Sequence, residues 1–269
     1  MSEGQRVWRG INMLNFLRKL RRPATAGKKE MKGAKYLKYA LGEIILVVIG
    51  ILIALSINNW NQRRLARQEE TKLLQNIKVD FERAKATLQR LDVLRDEGLY
   101  AYDQLIAIGQ SGDFSNSLMI DTLLAKTNFT PTYNGNTSSL SILVNSGKIN
   151  LLRNDSLTAM LLAWPSQLEN LIEREMDILS ITNNEWVPFA QTYTSVNDWF
   201  KNYDFPGVPA KNRVTSVSKN YQGLFNDRRL ENLITRLELQ YIACKNRSGR
   251  LIRSADLIIA TIDRDLKNR

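Results

Sequence analysis

Apolar and polar residues fall into one unbroken hydrophobic run, followed by three stretches in which apolar positions recur every three or four residues. The run, YALGEIILVVIGILIALSINNWNQ, holds a single charge, Glu43, between Lys38 and Arg63. As a helix rising about 1.5 Å per residue, residues 41–57 cover roughly 25 Å, and the flanks out to Tyr39 and Trp60 complete a hydrocarbon thickness. The pattern predicts a transmembrane helix over 39–60. Tyr36 and Tyr39 before it and Trp60 after it stand where amphipathic rings settle, at the two headgroup levels.

Beyond the run, residues 61–108 contain no proline and one glycine, and Leu74, Ile77, Phe81, Ala84, Leu88 and Leu91 step by three and four. The stripe resumes with Leu94, Leu99, Tyr102 and Leu105 after a polar interruption at 95–98. A second long stripe comprises Leu230, Ile234, Leu237, Tyr241, Cys244, Ser248, Leu251, Ala255, Ile258 and Ile262, with Gly249 as a point for a kink or a close crossing. Asp155 offers a cap for a third helix carrying Leu157, Met160, Leu161, Trp164, Leu168, Leu171, Ile172, Met176 and Leu179, with Pro165 able to kink it. Short helices are expected at 119–126 and 138–145. Residues 194–218, with Trp199, Phe200, Tyr203, Phe205, Pro206, Gly207 and Pro209, read as a long loop packed by its own aromatics. The expected fold is all-α: one N-terminal transmembrane helix leading into a soluble helical bundle. The two end helices should pack antiparallel, with the middle helix beside both. Three regions follow: a basic tail at 1–38, the span at 39–60 and a helical domain at 61–269.

Charge gives the span a direction. Residues 1–38 hold eleven Lys and Arg against Glu3 and Glu30, so the tail's +9 leaves only +2 of the total +11 for residues 39–269. By the positive-inside rule the tail stays in the cytoplasm, as the uncleaved start of a signal anchor, and the helical domain is exported. The basicity belongs to the tail, which suits anionic lipid and disfavours a nucleic-acid partner. Within the tail, Trp8, Ile11, Leu14, Phe16, Leu17 and Leu20 recur near helical spacing among cations, which fits either a surface-lying helix or a plain basic tail.

The segment KYLKYALGEIILVVIGILIALSINNWN, residues 35–61, resembles the signature of a single-pass membrane family of bacteria, the domain of unknown function 6090, found mainly in Bacteroidota. SLSILVNSGKINLLRNDSL, residues 139–157, resembles the family's downstream pattern. The resemblance implies inner-membrane placement with a periplasmic helical domain; it implies no activity, ligand or catalytic residue. Relatives open near a segment like MLNFLRKLRR, which begins here at Met13, so Met1 and Met13 both stand as starts.

The chemistry legible in the chain is mostly exclusion. Without histidine there is no Ser-His or Cys-His pair and no Glu-x-x-His di-iron motif, and phosphate-loop, dinucleotide and calcium-loop spacings are missing. Cys244, on an apolar stripe, reads as a buried thiol. Glu169, Glu173 and Asp177 line one helical ridge and read as a solvated face. No cofactor or metal is expected, and the chain is read as a non-enzyme. Within the span, Glu43, Gly50 and Ala54 share one face, a candidate seam in which small residues let helices approach. The expected function is a structural or protein-interaction module of the cell envelope, with the bilayer, a second copy or an envelope protein as partner. The alternative is a ligand-sensing or regulatory subunit that signals through its span.

Overall fold

The computed structural model describes residues 32–135, 138–201, 215 and 217–268, and among these there is no strand. The helices are α1 (Lys32–Ser111), α2 (Ser117–Thr127), α3 (Ser138–Asn145), α4 (Asp155–Ile181), α5 (Val187–Gln191), α6 (Val196–Lys201), α7 (Tyr221–Asn226) and α8 (Arg228–Lys267). A 3-10 turn at Lys148–Leu151 precedes α4, and a π turn at Thr182–Trp186 joins α4 to α5. The chain divides into two units, one ending at Gln62 and one beginning at Arg63.

In the first unit, every large apolar side chain over residues 41–57 is between 47% and 61% exposed. Among the described residues nothing covers them, whereas the core helix of a soluble domain buries its apolar side chains. Ser56 Oγ donates to the Leu52 carbonyl at 2.7 Å, which satisfies the hydroxyl without leaving the helix. Residues 41–57 are therefore a candidate membrane span: apolar outside, with a helical backbone paired inside.

The second unit is built on α1, α4 and α8, and its logic is one seven-residue phase. On α1 the inward positions are Glu70, Leu74, Ile77, Phe81, Ala84, Leu88, Leu91, Arg95, Gly98, Tyr102 and Leu105, all buried. The steps alternate four and three throughout. The expected break at 95–98 does not occur, because Arg95 and Gly98 hold stripe positions themselves. Leu94 and Leu99 are only half-buried. On α4 the stripe runs Leu157, Leu161, Trp164, Leu168, Leu171, Glu175 and Ile178, and Thr182 of the π turn continues it, so Ile172 and Met176, expected inside, lie outside. On α8 the ten expected positions are the ten buried ones.

Contacts between the helices set their directions. Lys78 Nζ meets Asp263 at 2.6 Å, Lys85 Nζ meets Asp256 at 2.5 Å, and Ser248 Oγ donates to Asp92 at 2.9 Å, with Lys245 on Asp96 beyond. Numbers rise on α1 as they fall on α8, so the two run antiparallel, as expected. These pairs are partly solvated and add little stability; they hold the register. Phe81 packs its ring edge-on against Trp164 at 4.7 Å, and Asn154 and Glu185, before and after α4, bond Asp265 and Arg236 of α8. Helix α4 thus runs parallel to α1 and antiparallel to α8, making a three-helix bundle.

Local chemistry ends the elements where they end. Asn154, rather than Asp155, caps α4, its side chain accepting from the Leu157 N–H at 3.0 Å, while Asp227 caps α8. Gly112 adopts φ 67 after α1, a left-handed turn that suits glycine. Pro165 lies inside α4, which continues past it although the Leu161 carbonyl loses its partner. At the π turn the Val187 N–H reaches back five residues to Thr182, just before Pro188, which has no N–H to give. A Cβ at Gly249 would meet only the end of Arg253 at 3.6 Å, and α8 runs through it, so it marks no crossing. The expected loop at 194–218 contains α6, which buries Trp199; Tyr203, Phe205, Pro206, Gly207 and Pro209 lie outside the described residues, as do Trp8, Ile11, Leu14, Phe16, Leu17 and Leu20.

Phe81→Ala, which empties a fully buried site, should cost about 3–5 kcal/mol of stability, whereas Val93→Ala on the exposed back of α1 should stay within about 0.5 kcal/mol. Urea unfolding of the detergent-solubilised chain, followed by circular dichroism, measures both.

Candidate functional site

Two places depart from an ordinary soluble bundle: the exposed apolar stretch of α1, a candidate span, and a charged layer sealed in the core. On the span, Glu43, Gly50 and Ala54 are all exposed and spaced on one helix face, and a Cβ built at Gly50 meets nothing within 4 Å. The face is therefore open to a neighbouring helix. Tyr36 and Tyr39 are 72% and 79% exposed and Trp60 65%. Tyr39 and Trp60 are separated by a rise of roughly 32 Å, close to the thickness of the hydrocarbon layer.

The core layer was missed in the sequence because polar residues read as breaks. Arg95 of α1 is fully buried and its Nη2 donates to Glu175 Oε1 of α4, itself 1% exposed. Arg95 Nη1 donates to Asp92 at 2.7 Å, and Asp92 in turn accepts from Ser248 of α8. Glu175 Oε2 accepts the Tyr133 backbone N–H at 2.8 Å, so the layer also pins the segment between α2 and α3. One cation thus faces two carboxylates, and three helices contribute. Burial pushes the Glu175 carboxyl above its ordinary value; the Tyr133 N–H and the Arg95 guanidinium pull it back, and Asp92 adds to the rise. The signal available in the sequence was the phase itself, since 95 and 175 both fall in step with their stripes.

Cys244 lies fully buried on the α8 stripe, as expected. Burial pushes its thiol up to about 11, with Arg95 opposing and Glu175 and Asp92 reinforcing. A second buried cluster ties the chain before α7 to α2 and α6: Lys219 Nζ sits 2.5 Å from Asp121 and 3.5 Å from Asp198, and Tyr221 donates to Asp121 at 2.7 Å. Burial and the Asp121 carboxylate hold the Tyr221 hydroxyl protonated far into the alkaline range. In each cluster a single cation is shared by two carboxylates, Arg95 by Glu175 and Asp92 and Lys219 by Asp121 and Asp198. Glu169, Glu173 and Asp177 are exposed, with Arg174 on Asp177 at 2.7 Å. Among the described residues no three metal-ligating side chains converge.

Glu175→Leu should cost about 3–5 kcal/mol, because Arg95 would stay buried without its main partner. Adding Arg95→Met should return stability to near or above the starting value, since a buried pair is often replaceable by packed apolar groups. Denaturant midpoints of the two variants test this. For Cys244, the rise from about 9 to about 11 leaves a hundredfold less thiolate near pH 8 than in the unfolded chain. A thiol reagent at pH 8 should therefore label unfolded protein quickly and native protein hardly at all. Because the unfolded thiol ionises first, its contribution is intact below pH 9 and is lost as pH climbs through 11. Cys244→Ala should flatten that alkaline loss of stability.

No curated protein and no solved structure matches the chain. The profile of a family of unknown function, DUF6090, matches residues 43–187, which takes in α1 from Glu43 onward, including most of its apolar stretch, and α2, α3 and α4. With more than half of its length matched, the chain belongs to this family of unknown function.

Proposed function

We propose that this protein is a single-pass inner-membrane protein of a Bacteroidota cell, holding its basic tail in the cytoplasm and its three-helix bundle in the periplasm. There the bundle serves as a structural or protein-interaction module of the envelope and acts by binding rather than by catalysis. The observation that carries the reading is the exposed apolar helix over residues 41–57, bracketed by Tyr36, Tyr39 and Trp60. Its surface would aggregate in water and is suited to lipid. The direction rests on the tail's +9, which would hold the N-terminus on the cytoplasmic side. An interaction role is supported by a bundle whose buried charges are spent on one another. The partners are the bilayer and an envelope protein or second copy, with Glu43, Gly50 and Ala54 as the seam where helices in the membrane would meet.

An alkaline phosphatase fused after Arg269 should be active and a fluorescent protein fused there should be dark; the reverse pattern overturns the orientation. Neutralising the cations of residues 1–38 should mix the two signals. Recovery of the intact chain in the soluble fraction without detergent would end the reading altogether.

A further inference from the structure

A shallow groove between α3 and α4 is lined by Leu140, Val144, Pro165, Leu168 and Ile172, with Glu169 on its wall. Val144 is 40% exposed and Ile172 38%, and Met176 continues the apolar ridge one turn on at 54%. Both walls lie within the residues matched by the family profile. The surroundings are acidic: α4 carries Asp155, Glu169, Glu173, Glu175 and Asp177 against Arg174 alone, a net −4, while residues 39–269 together carry +2. Glu175 is taken by Arg95 and Asp177 by Arg174. Glu169 and Glu173 have no cation partner among the described residues. They flank the apolar strip at four-residue spacing.

We propose that this groove docks a short amphipathic helix of a partner protein, apolar on one face with Lys or Arg along its edge. Helix α3 is about 12 Å long and residues 165–176 of α4 span about 17 Å, room for two to three turns of a guest. An apolar strip beside unpaired carboxylates matches such a helix in both length and charge. A second copy fits poorly, because a two-fold contact centred here would bring Glu169 and Glu173 against their own counterparts. Anionic lipid is repelled by the same two carboxylates. The inference deepens the interaction-module reading and rests on it.

The probe is a fluorescent 18-residue helical peptide of Leu, Ala and Lys, with leucines on one face and lysines beside them. It is titrated against the full chain in nanodiscs of zwitterionic lipid, with empty discs as the blank. Binding should weaken at least tenfold in the Glu169→Lys, Glu173→Lys double variant and at least fivefold in Ile172→Ser, with Val93→Ser unchanged. The same peptide with Glu for Lys should not bind. Equal binding by all variants, or equal binding of the acidic peptide, overturns the proposal. So does pairing of wild-type chains that Ile172→Ser abolishes, since a second copy would then cover the groove. All variants sit on exposed positions, and matching thermal melts confirm that loss of binding is not loss of fold. The measurement does not depend on orientation in a cell, so reversed fusion signals would remove the periplasmic placement and leave the groove standing.

Discussion

Three helices that share a seven-residue phase must bury whatever that phase points inward, whether or not it is apolar. In this bundle it points inward Arg95 from α1 and Glu175 from α4, with Ser248 from α8 alongside. The two charges are tolerated because each lies where the other can reach it. A shift of one heptad in either helix would leave a bare guanidinium or carboxylate in the core, a cost of several kcal/mol. The layer thus penalises misalignment of α1 against α4 more strongly than it stabilises the right alignment, and the Lys–Asp rungs between α1 and α8 extend the same discrimination along the surface.

The rest of the second unit hangs on that alignment. Tyr133 is held by its backbone N–H on Glu175, and Asp80 accepts the Ser139 N–H at 3.0 Å at the start of α3. Glu70, at the first inward position of α1, accepts the Arg153 N–H at 3.2 Å just before α4. Carboxylates on the long helices therefore capture the backbone of the connectors. That is why a region punctuated by Gly109, Gly112, Pro131 and Gly147 still packs: its unpaired N–H groups find acceptors already fixed by the bundle.

How much was legible varied with how far each feature depended on a single helix. The α8 stripe was read position by position, because a lone amphipathic helix displays its phase in its own composition. The α4 stripe was read only in part. Ile172 and Met176 are apolar and sit near the right spacing, and nothing local says that Glu175 outranks them for the interior. Arg95 looks like an interruption of the α1 stripe for the same reason. In both cases apolarity was a poorer guide than unbroken periodicity.

By itself, the chain's pattern determined an all-helical protein with an apolar segment near its start that is long enough to cross a membrane, and three amphipathic helices after it. Those properties follow from backbone geometry and side-chain period, which are local. Only the tertiary structure decided that a guanidinium and a carboxylate eighty residues apart would share the core. It alone decided that α4 lies parallel to α1, and that Val144 and Ile172 are left at the surface beside unpaired carboxylates. Desolvation and pairing depend on which other helix arrives opposite, and no single stretch of sequence contains that information.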